Sequence, residues 1–297
     1  MMKFKSAPII IPTLNRYEHL YRLLVSLEKC SMSDTLDVYI GLDYPPSVIY
    51  EDSYNRIKCV LQKFSSSFAS FNVIERTENL GYWGNLNDLI DNVLEKYDRF
   101  IYADDDLEFS PNFLEYINKS LDKYADDENV IAIAGYSYPL KWNVSKSATL
   151  FKENYSCPMW GTAFWKHKFL QVREYMFSGN LINNAHTLFE ERLLTSMLDV
   201  SRYEFMNLCF SPNADSLVYK VSDVSLRIYT ILEDKMIVSP VLSKVRNWGF
   251  DGSGEYCRQI VINDKLAPTA QTYSYSNQII DTSNHFIIIE DTLMSID

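Results

Sequence analysis

Short runs of β-branched and aromatic residues alternate with helical patterns through the first half of the chain. The runs are almost continuously apolar, which is typical of parallel strands that are covered on both faces. They are APIII (7–11), LDVYIGL (36–42), FNVIE (71–75), RFIYA (99–103) and VIAIA (130–134). Apolar residues at i, i+3, i+4 and i+7 lie between them, at Leu20, Leu23, Leu24 and Leu27; at Ile57, Val60, Leu61 and Phe64; and at Leu86, Leu89, Ile90, Val93 and Leu94. The alternation predicts an α/β fold with a Rossmann-like, mostly parallel sheet and helices on both faces.

The carboxyl ends of the predicted strands lead into polar loops. Ligands of open α/β sheets bind in a crevice at these ends, so we expect four loops to surround one crevice. The loops are Pro12–Arg16, Asp43–Pro46, Asn79–Asn87 and Asp104–Glu108. The first helix begins in one of them, with Asn15 as the expected N-cap and Glu18 three residues later in a capping-box arrangement.

The second half of the chain is less regular. The aromatic segment CPMWGTAFW (157–165) precedes a helix expected near 187–199, and a second helix is expected from Asp223 to Leu232. A loop with several glycines, RNWGFDGSGEYC (246–257), follows. The apolar run HFIII (285–289) is expected to be an edge strand or a docked tail.

Composition narrows the possible partners. The 297 residues carry a net charge of −11, which argues against a protein that tracks nucleic-acid phosphates. The five cysteines show no CxxC spacing and are expected to be reduced thiols in a cytoplasmic protein. No apolar stretch reaches the length of about 18 residues that a membrane span needs, although peripheral contact with the inner membrane face remains compatible with the sequence.

Three consecutive aspartates, Asp104, Asp105 and Asp106, follow the fourth predicted strand. No GxGxxG motif follows the first strand and no P-loop occurs. The phosphates of a bound nucleotide would therefore have to be held by other residues. In an extended strand end Asp104 and Asp106 would face the same way. Two such carboxylates suit Mg²⁺ or Mn²⁺ together with diphosphate oxygens. The alternative is an acidic turn before a helix with Ser110 as N-cap and Pro111 at its first position.

The order of these motifs resembles GT-A glycosyltransferases. PTLNR, Asp43, NLGYWGNLND and DDDLEFSPNF occur in that order, and the last resembles the Glu-Asp-Asp-Leu-Glu-Val-x-Pro-Asp-Phe signature of the N-acetylglucosaminyltransferase I family. WGTAFWKHKF, SDVSLR and LSKVRNWGFDGSG resemble later segments of that family. NWGFDGSGEYC also resembles loops of bacterial polysaccharide-assembly transferases. The resemblance covers most of residues 7–257 and begins its acidic motif with Asp instead of Glu.

The resemblance implies a nucleotide-sugar donor, most often UDP-linked, and a divalent cation. Asp106 would be the main metal ligand, with Asp104 as a second one. The residues implied to bind the donor are Pro12, Thr13, Arg16, Asp43, Gly81, Asn87, Asp104 and Asp105. Trp160, Gly161, Trp248 and Gly249 are implied to form the sugar and acceptor pocket. From the residues alone, Arg16 could also be a solvated cation, Asp43 a turn residue, Asn87 a helix cap and Trp160 a core residue.

The resemblance also implies a catalytic base. Asp223 in DVSLR, with Arg227 four residues later, matches the base-containing segment and would deprotonate the acceptor hydroxyl in an inverting reaction. Its other reading is the N-cap of the helix that begins there, and Glu190 or Glu191 is the rival base. The four histidines show no metal-binding spacing and are expected to be structural or surface residues.

The sequence therefore predicts a metal-dependent glycosyltransferase, with UDP-N-acetylglucosamine the favoured donor and a saccharide or glycolipid acceptor. Residues 1–257 form the expected catalytic domain, with a nucleotide-binding half (1–110) and an acceptor-binding half (111–257). Residues 258–297 form a tail packed on it. The alternatives are a retaining transferase of the same fold, a non-catalytic nucleotide-sugar binding protein and a nucleotidyltransferase, which the missing Gly-rich first turn disfavours.

Overall fold

A computed structural model of the chain describes residues 6–154, 156–178, 221–254 and 280–293. The strands are β1 (Ile9–Thr13), β2 (Asp37–Leu42), β3 (Ser70–Glu75), β4 (Arg99–Tyr102), β5 (Leu107–Phe109), β6 (Val130–Ile133), β7 (Leu150–Glu153), β8 (Thr162–Trp165), β9 (Met236–Pro240), β10 (Val245–Asn247) and β11 (Glu290–Thr292). The helices are α1 (Tyr17–Glu28), α2 (Glu51–Lys63), α3 (Gly81–Leu94), α4 (Phe113–Lys123), α5 (Lys166–Phe177) and α6 (Asp223–Leu232). None of the helices in these ranges is long and apolar enough to span a bilayer.

Nine strands form one mixed sheet in the order β11-β7-β9-β6-β8-β4-β1-β2-β3. The pairs β1–β2, β1–β4 and β2–β3 are parallel, which places the ends of β1, β2 and β4 side by side. The sheet continues through β8, which runs antiparallel to both β4 and β6. A separate antiparallel pair, β5–β10, lies at the site described below.

Helices cover both faces of the sheet because side chains along a strand alternate between the faces. Ile9 and Ile11 pack with the apolar residues of α1, α2 and α4. Ile10, between them in sequence, packs with those of α3, α5 and α6 on the other face. This arrangement confirms the predicted α/β class, and the five runs found in the sequence are the five strands β1, β2, β3, β4 and β6 to within two residues.

One expectation about the strands is wrong, and one strand was missed. The run 71–75 was expected to be covered on both faces, but β3 is an edge strand and is half-exposed along its length. The aromatic segment 157–165 contains β8, which no sequence pattern indicated and which inserts between β4 and β6. Four residues are too few to show a period, so such a strand is defined only by its neighbours.

The helix caps also differ from expectation. Arg16, not Asn15, is the N-cap of α1, and no side chain caps that end. Helix α4 begins at Phe113 after the N-cap Asn112, so Ser110 and Pro111 precede the helix. Helix α6 has the predicted bounds, but its N-cap is Ser222, which forms a capping box with Ser225. Asp223 is therefore the first helical residue.

The described part of the tail lies against the rest of the chain. Phe286 is buried beside Tyr116, and β11 pairs in parallel with β7. The run 285–289 thus docks, and the edge strand begins one residue after it. The expected helix at 187–199, with Glu190 and Glu191, lies outside the described residues. The division into halves at residue 110 stays a prediction, since one sheet contains strands from both.

Candidate active site

A crevice of about 810 Å³ opens at the carboxyl ends of β1, β2 and β4. Seven of the residues predicted to bind a donor line it: Pro12, Thr13, Arg16, Asp43, Gly81, Asp104 and Asp105. The volume is in the range of sites that bind small molecules and cofactors. Asn87 does not line the crevice. Asn85, two residues earlier in the same helix, does line it.

Asp43 organises one wall of the crevice. It is buried, and its carboxylate accepts hydrogen bonds from the backbone N–H groups of Tyr44 (2.9 Å) and Leu80 (2.9 Å). The Asn79 amide donates to its other oxygen at 3.2 Å. Asp43 thus joins the end of β2 to the loop that begins α3. Asn85 supports the same wall, since its amide donates to the Gly41 carbonyl at 2.7 Å.

Arg16 holds two of the three aspartates together. Its Nη1 donates to Asp106 Oδ2 at 2.7 Å and its Nη2 donates to Asp105 Oδ1. Thr13 Oγ1 donates to the other Asp105 oxygen at 2.7 Å. Burial disfavours the guanidinium charge, but the aspartates outweigh this effect and raise the pKa of Arg16. Residues 105–106 form a turn. The prediction that an extended strand end makes the Asp104 and Asp106 side chains face the same way is therefore wrong.

Asp104 has different partners. The hydroxyls of Tyr82, at 2.9 Å, and Tyr102 both donate to its Oδ1. Burial raises the pKa of this carboxyl above its ordinary value, and the two hydroxyls act against that rise. The pKa values of both tyrosines are raised in turn by their own burial and by the neighbouring carboxylate. The two tyrosines therefore stay protonated as hydrogen-bond donors to Asp104.

Asp106 is the least compensated of the three. Its Oδ1 is buried and has no hydrogen-bond partner. Burial raises its pKa to about 7; Arg16 lowers it, while Asp104 and Asp105 raise it further. A buried acceptor without a donor costs free energy, which a cation at Oδ1 would offset.

The carboxylates fit the way in which Mg²⁺ and Mn²⁺ bind. Within residues 6–154, 156–178, 221–254 and 280–293, no three His, Cys, Asp or Glu side chains are grouped so as to hold a metal ion. These ions commonly bind one or two carboxylates and complete their coordination with substrate phosphates. An unpartnered Asp106 oxygen beside two further aspartates suits that kind of site.

The segment after β10 packs against Asp106. The Trp248 N–H donates to the Asp106 carbonyl at 2.9 Å, and Trp248 Nε1 donates to Glu108 at 2.7 Å. A Cβ placed on Gly249 would lie 2.1 Å from Asp106 Oδ2, so only glycine allows this approach. Neither Trp248 nor Gly249 lines the crevice. Both lie at the carboxylate predicted to bind the metal.

Trp160 and Gly161 lie in a cluster that contacts the glycine loop through Phe250. The Trp160 ring makes edge contacts with Tyr136, at 4.6 Å, and Phe250, at 5.8 Å. Gly161 has a φ of +67° and is packed so that a Cβ would meet Val245 at 2.7 Å. Trp160 is half-buried and Gly161 is buried, and neither lines the crevice.

Asp223 lies at the partly exposed start of α6 and does not line the crevice. Tyr229 of α6 makes an edge contact with Tyr175 of α5 at 5.2 Å, which joins the two helices. Arg227 is buried, and its Nη1 lies 3.5 Å from Thr230 Oγ1. The role of Asp223 as base stays a prediction.

Several contributors to the site were not singled out from the sequence. Tyr82 and Asn79 lie within the motif NLGYWGNLND and Ser253 within the glycine loop, so their place in those motifs was the available signal. His19 contacts Asp251 at 2.9 Å across 232 sequence positions, a separation that local patterns do not reveal.

Comparisons with known proteins give one family and a set of remote structures. The model of the family described as Glycosyl transferase family 2 matches residues 9–185. No curated protein matches the chain.

Three solved structures illustrate the structural similarity. TarS of S. aureus has a TM-score of 0.40 and 17% identity, over 56% of this chain and 29% of that one. The mannosyltransferase PcManGT of Pyrobaculum calidifontis, in complex with GDP-Man and Mn²⁺, has a TM-score of 0.35 and 18% identity, over 46% of this chain and 37% of that one. TarS 1–349 of S. aureus in complex with UDP has a TM-score of 0.39 and 16% identity, over 59% of this chain and 48% of that one. The match thus covers less than half of each of these chains.

Proposed function

The chain belongs to Glycosyl transferase family 2, and on that premise we propose that its crevice binds a nucleotide-diphosphate sugar together with Mn²⁺ or Mg²⁺ and transfers the sugar to an acceptor hydroxyl. Family membership confirms the predictions of a GT-A fold and of a glycosyltransferase. The donor, the cation, the acceptor and the stereochemistry belong to the proposal.

One observation carries the proposal. The crevice at the ends of β1, β2 and β4 contains Asp104 and Asp105, and the adjoining Asp106 has a buried oxygen without a hydrogen-bond partner. Carboxylates so close together repel one another, and Arg16 neutralises only part of their charge. The arrangement therefore favours a ligand that brings positive charge to the aspartates and phosphates to the crevice.

Asp106 would hold the cation, with Asp104 as the second ligand. The bound cation supplies electrostatic stabilisation of the leaving diphosphate. The chain's own residues prepare this site before any ligand arrives. Arg16 and Thr13 fix Asp105, while two tyrosine hydroxyls fix Asp104. Fixed carboxylates lose little conformational freedom when they bind an ion.

Donor binding is assigned to the residues around the crevice. Thr13, Arg16, Asp43 and Gly81 surround the space proposed for the nucleoside, in the wall that Asp43 and Asn79 hold together. The cluster around Trp160, which contacts the glycine loop through Phe250, is assigned to the sugar and acceptor. UDP-N-acetylglucosamine is the favoured donor through the family resemblance alone.

Asp223 is proposed as the base of an inverting reaction. Its carboxylate would accept the proton of the acceptor hydroxyl as that oxygen attacks the anomeric carbon. Asp223 is the first residue of α6. The acceptor is a saccharide or glycolipid in surface polysaccharide or glycoconjugate synthesis. The scattered cysteines favour a cytoplasmic location, with peripheral contact to the inner membrane face.

The test is a donor panel. UDP- and GDP-sugars are incubated with the protein and Mn²⁺, and release of the nucleotide is measured by chromatography. We expect one donor to be hydrolysed slowly without acceptor, and omission of the cation to stop the reaction. Binding without turnover of any donor would favour the non-catalytic protein, and absence of binding would contradict the proposal.

The base has a separate test. Asp223→Asn should keep donor binding and reduce transfer by about 10²–10⁴-fold, the usual contribution of general-base catalysis. Near-normal transfer would exclude Asp223 as the base. Retention of configuration in the product, measured by NMR, would favour a retaining enzyme instead.

A further inference from the structure

Two side chains of α1 contact the glycine loop from outside the crevice. His19 and Arg22 lie one turn apart on the helix and face residues 248–253. We call this loop, Trp248–Gly254, the donor loop. Its last two residues, Ser253 and Gly254, line the crevice, so its position helps to shape the site.

The contacts of His19 indicate which ring nitrogen donates a hydrogen bond and which one accepts. Arg22 Nη1 lies 3.2 Å from His19 Nδ1, and because a guanidinium can only donate, Nδ1 is the acceptor. Nε2 is then the donor, and it donates to Asp251 Oδ2 at 2.9 Å. Ser253 Oγ lies 3.3 Å from the same nitrogen. His19 therefore joins Arg22 to two residues of the donor loop.

Arg22 contacts the start of the same loop. Its guanidinium lies over the Trp248 ring, 4.5 Å from the ring centroid, as in a cation–π contact. Trp248 is also bound to Glu108 and to the Asp106 carbonyl, so its position is fixed relative to the aspartates. The two α1 residues thus hold both the beginning and the end of the loop.

The middle of the donor loop is exposed to solvent. Asp251, Gly252 and Ser253 are exposed, and Gly252 has a φ of +85°. Within the loop, Asp251 Oδ1 accepts the Ser253 N–H at 2.9 Å. Burial acts to raise the pKa of Asp251, but its bonds to Ser253 and His19 outweigh this and lower it. Its charged form is therefore the one that His19 holds.

From these contacts we propose that His19 and Arg22 form a latch that positions the donor loop against the crevice before the nucleotide binds. The inference rests on the proposed function, because the crevice is assigned to the donor. A loop that is already ordered loses little conformational freedom when the nucleotide binds. The latch therefore increases the affinity for the nucleotide. His19 touches no reacting atom and is a positioning residue.

The first experiment measures the loop without any nucleotide. Hydrogen exchange of peptides covering residues 247–254 is followed by mass spectrometry in the wild type, His19→Ala and His19→Gln. We expect faster exchange in His19→Ala and near-wild-type exchange in His19→Gln, whose amide can donate in place of Nε2. The control is His167→Ala, which removes an exposed histidine of α5. Unchanged exchange in His19→Ala would overturn the latch.

The second experiment measures the consequence. The dissociation constant of UDP with Mn²⁺ should rise about three- to tenfold in His19→Ala, the value of losing one or two hydrogen bonds. With a turned-over donor, KM should rise while kcat stays the same, since the latch affects ground state and transition state alike. A fall in kcat with KM unchanged would contradict the proposal.

A double-mutant cycle tests the pairing itself. His19→Ala, Asp251→Ala and the double variant are compared for loop exchange and for UDP affinity. The effect of His19→Ala should be smaller in the Asp251→Ala background, because the contact between the two side chains is already absent there. Fully additive effects would overturn the pairing. If the wild type bound neither UDP nor GDP, the proposed function would fail, while hydrogen exchange would still decide the latch.

Discussion

Two buried clusters of charge among the described residues are built differently. In one, Lys244 Nζ pairs with Asp281 of the tail, with side chains 3% and 10% exposed. Asn112 also donates to Asp281 at 2.9 Å, as does the Ser283 N–H. In the other, the Arg16 guanidinium pairs with Asp105 and Asp106, Asp104 is bonded to two tyrosine hydroxyls, and an oxygen of Asp106 is left without a hydrogen bond.

The contrast separates a compensated buried charge from an under-compensated one. Burial acts to raise the pKa of Asp281, but Lys244 and the other donors outweigh it and lower the pKa to about 2. At Asp106 burial prevails and the pKa rises to about 7. A fully bonded pair stabilises the fold, whereas an under-compensated carboxylate leaves binding capacity for a ligand.

The largest expected effect is on the bonded pair. Lys244→Met leaves Asp281 buried without its cation and should lower the free energy of unfolding by about 3–5 kcal/mol. Urea unfolding followed by circular dichroism measures the change. Adding Asp281→Leu should restore part of the loss, since replacing both partners removes the uncompensated charge. An unchanged unfolding midpoint in Lys244→Met would contradict a structural role for the pair.

The opposite result is expected at the aspartates. Asp106→Asn removes a buried, repelled charge, so the ligand-free protein should unfold at the same temperature or a higher one. Its affinity for UDP in the presence of Mn²⁺ should fall by about a hundredfold or more, because even outer-sphere partners of a metal ligand contribute about 10- to 100-fold. Calorimetry measures the binding. Asp98→Asn, at a carboxylate that is 85% exposed, is the control, and unaltered binding in Asp106→Asn would contradict the metal assignment.

The raised pKa of Asp106 predicts a dependence on pH. In the folded, cation-free protein the Asp106 carboxyl stays protonated up to about pH 7, because its pKa is raised from the ordinary 3.8. The contribution of this raised pKa to the free energy of unfolding is therefore complete below about pH 4 and is lost as the pH rises to about 7. A cation must replace the proton, so affinity for UDP with Mn²⁺ should be about tenfold weaker at pH 6 than at pH 8. Binding of UDP without the cation serves as the control, and equal affinities with Mn²⁺ would contradict the shift.

The smallest effect concerns Asp104, the better-bonded neighbour. Tyr82→Phe removes one of its two hydroxyl donors and should lower the free energy of unfolding by about 0.5–1.5 kcal/mol. Tyr21→Phe, at a ring that is 45% exposed, is the matched control. Equal stability of the two variants would show that Asp104 does not depend on Tyr82.

The sequence predicted what depends on local pattern. Strands β1, β2 and β4 were found because continuous apolar runs reflect burial on both faces. Thr13, Arg16 and Asp43 were found as crevice residues because each follows such a strand and parallel strands end at one edge of the sheet.

The choice of partners was not predictable. Arg16 could have faced solvent or a nucleotide, and only the folded chain shows that it binds Asp105 and Asp106. Asn85 and Asn87 are two residues apart and point to different sides of α3, so the helix phase decided which one lines the crevice. Strand β8 depends on neighbours that are distant in sequence.

The strand order has a consequence for contact between molecules. Among the described residues the large sheet ends at β11 on one side and β3 on the other. β11 has three residues, two of them acidic, and a short charged strand of this kind resists addition of a strand from another chain. β3 has six residues and no such protection at Val73, which is 36% exposed. Among the described residues, β3 is therefore the sheet edge that is more open to backbone pairing with another chain.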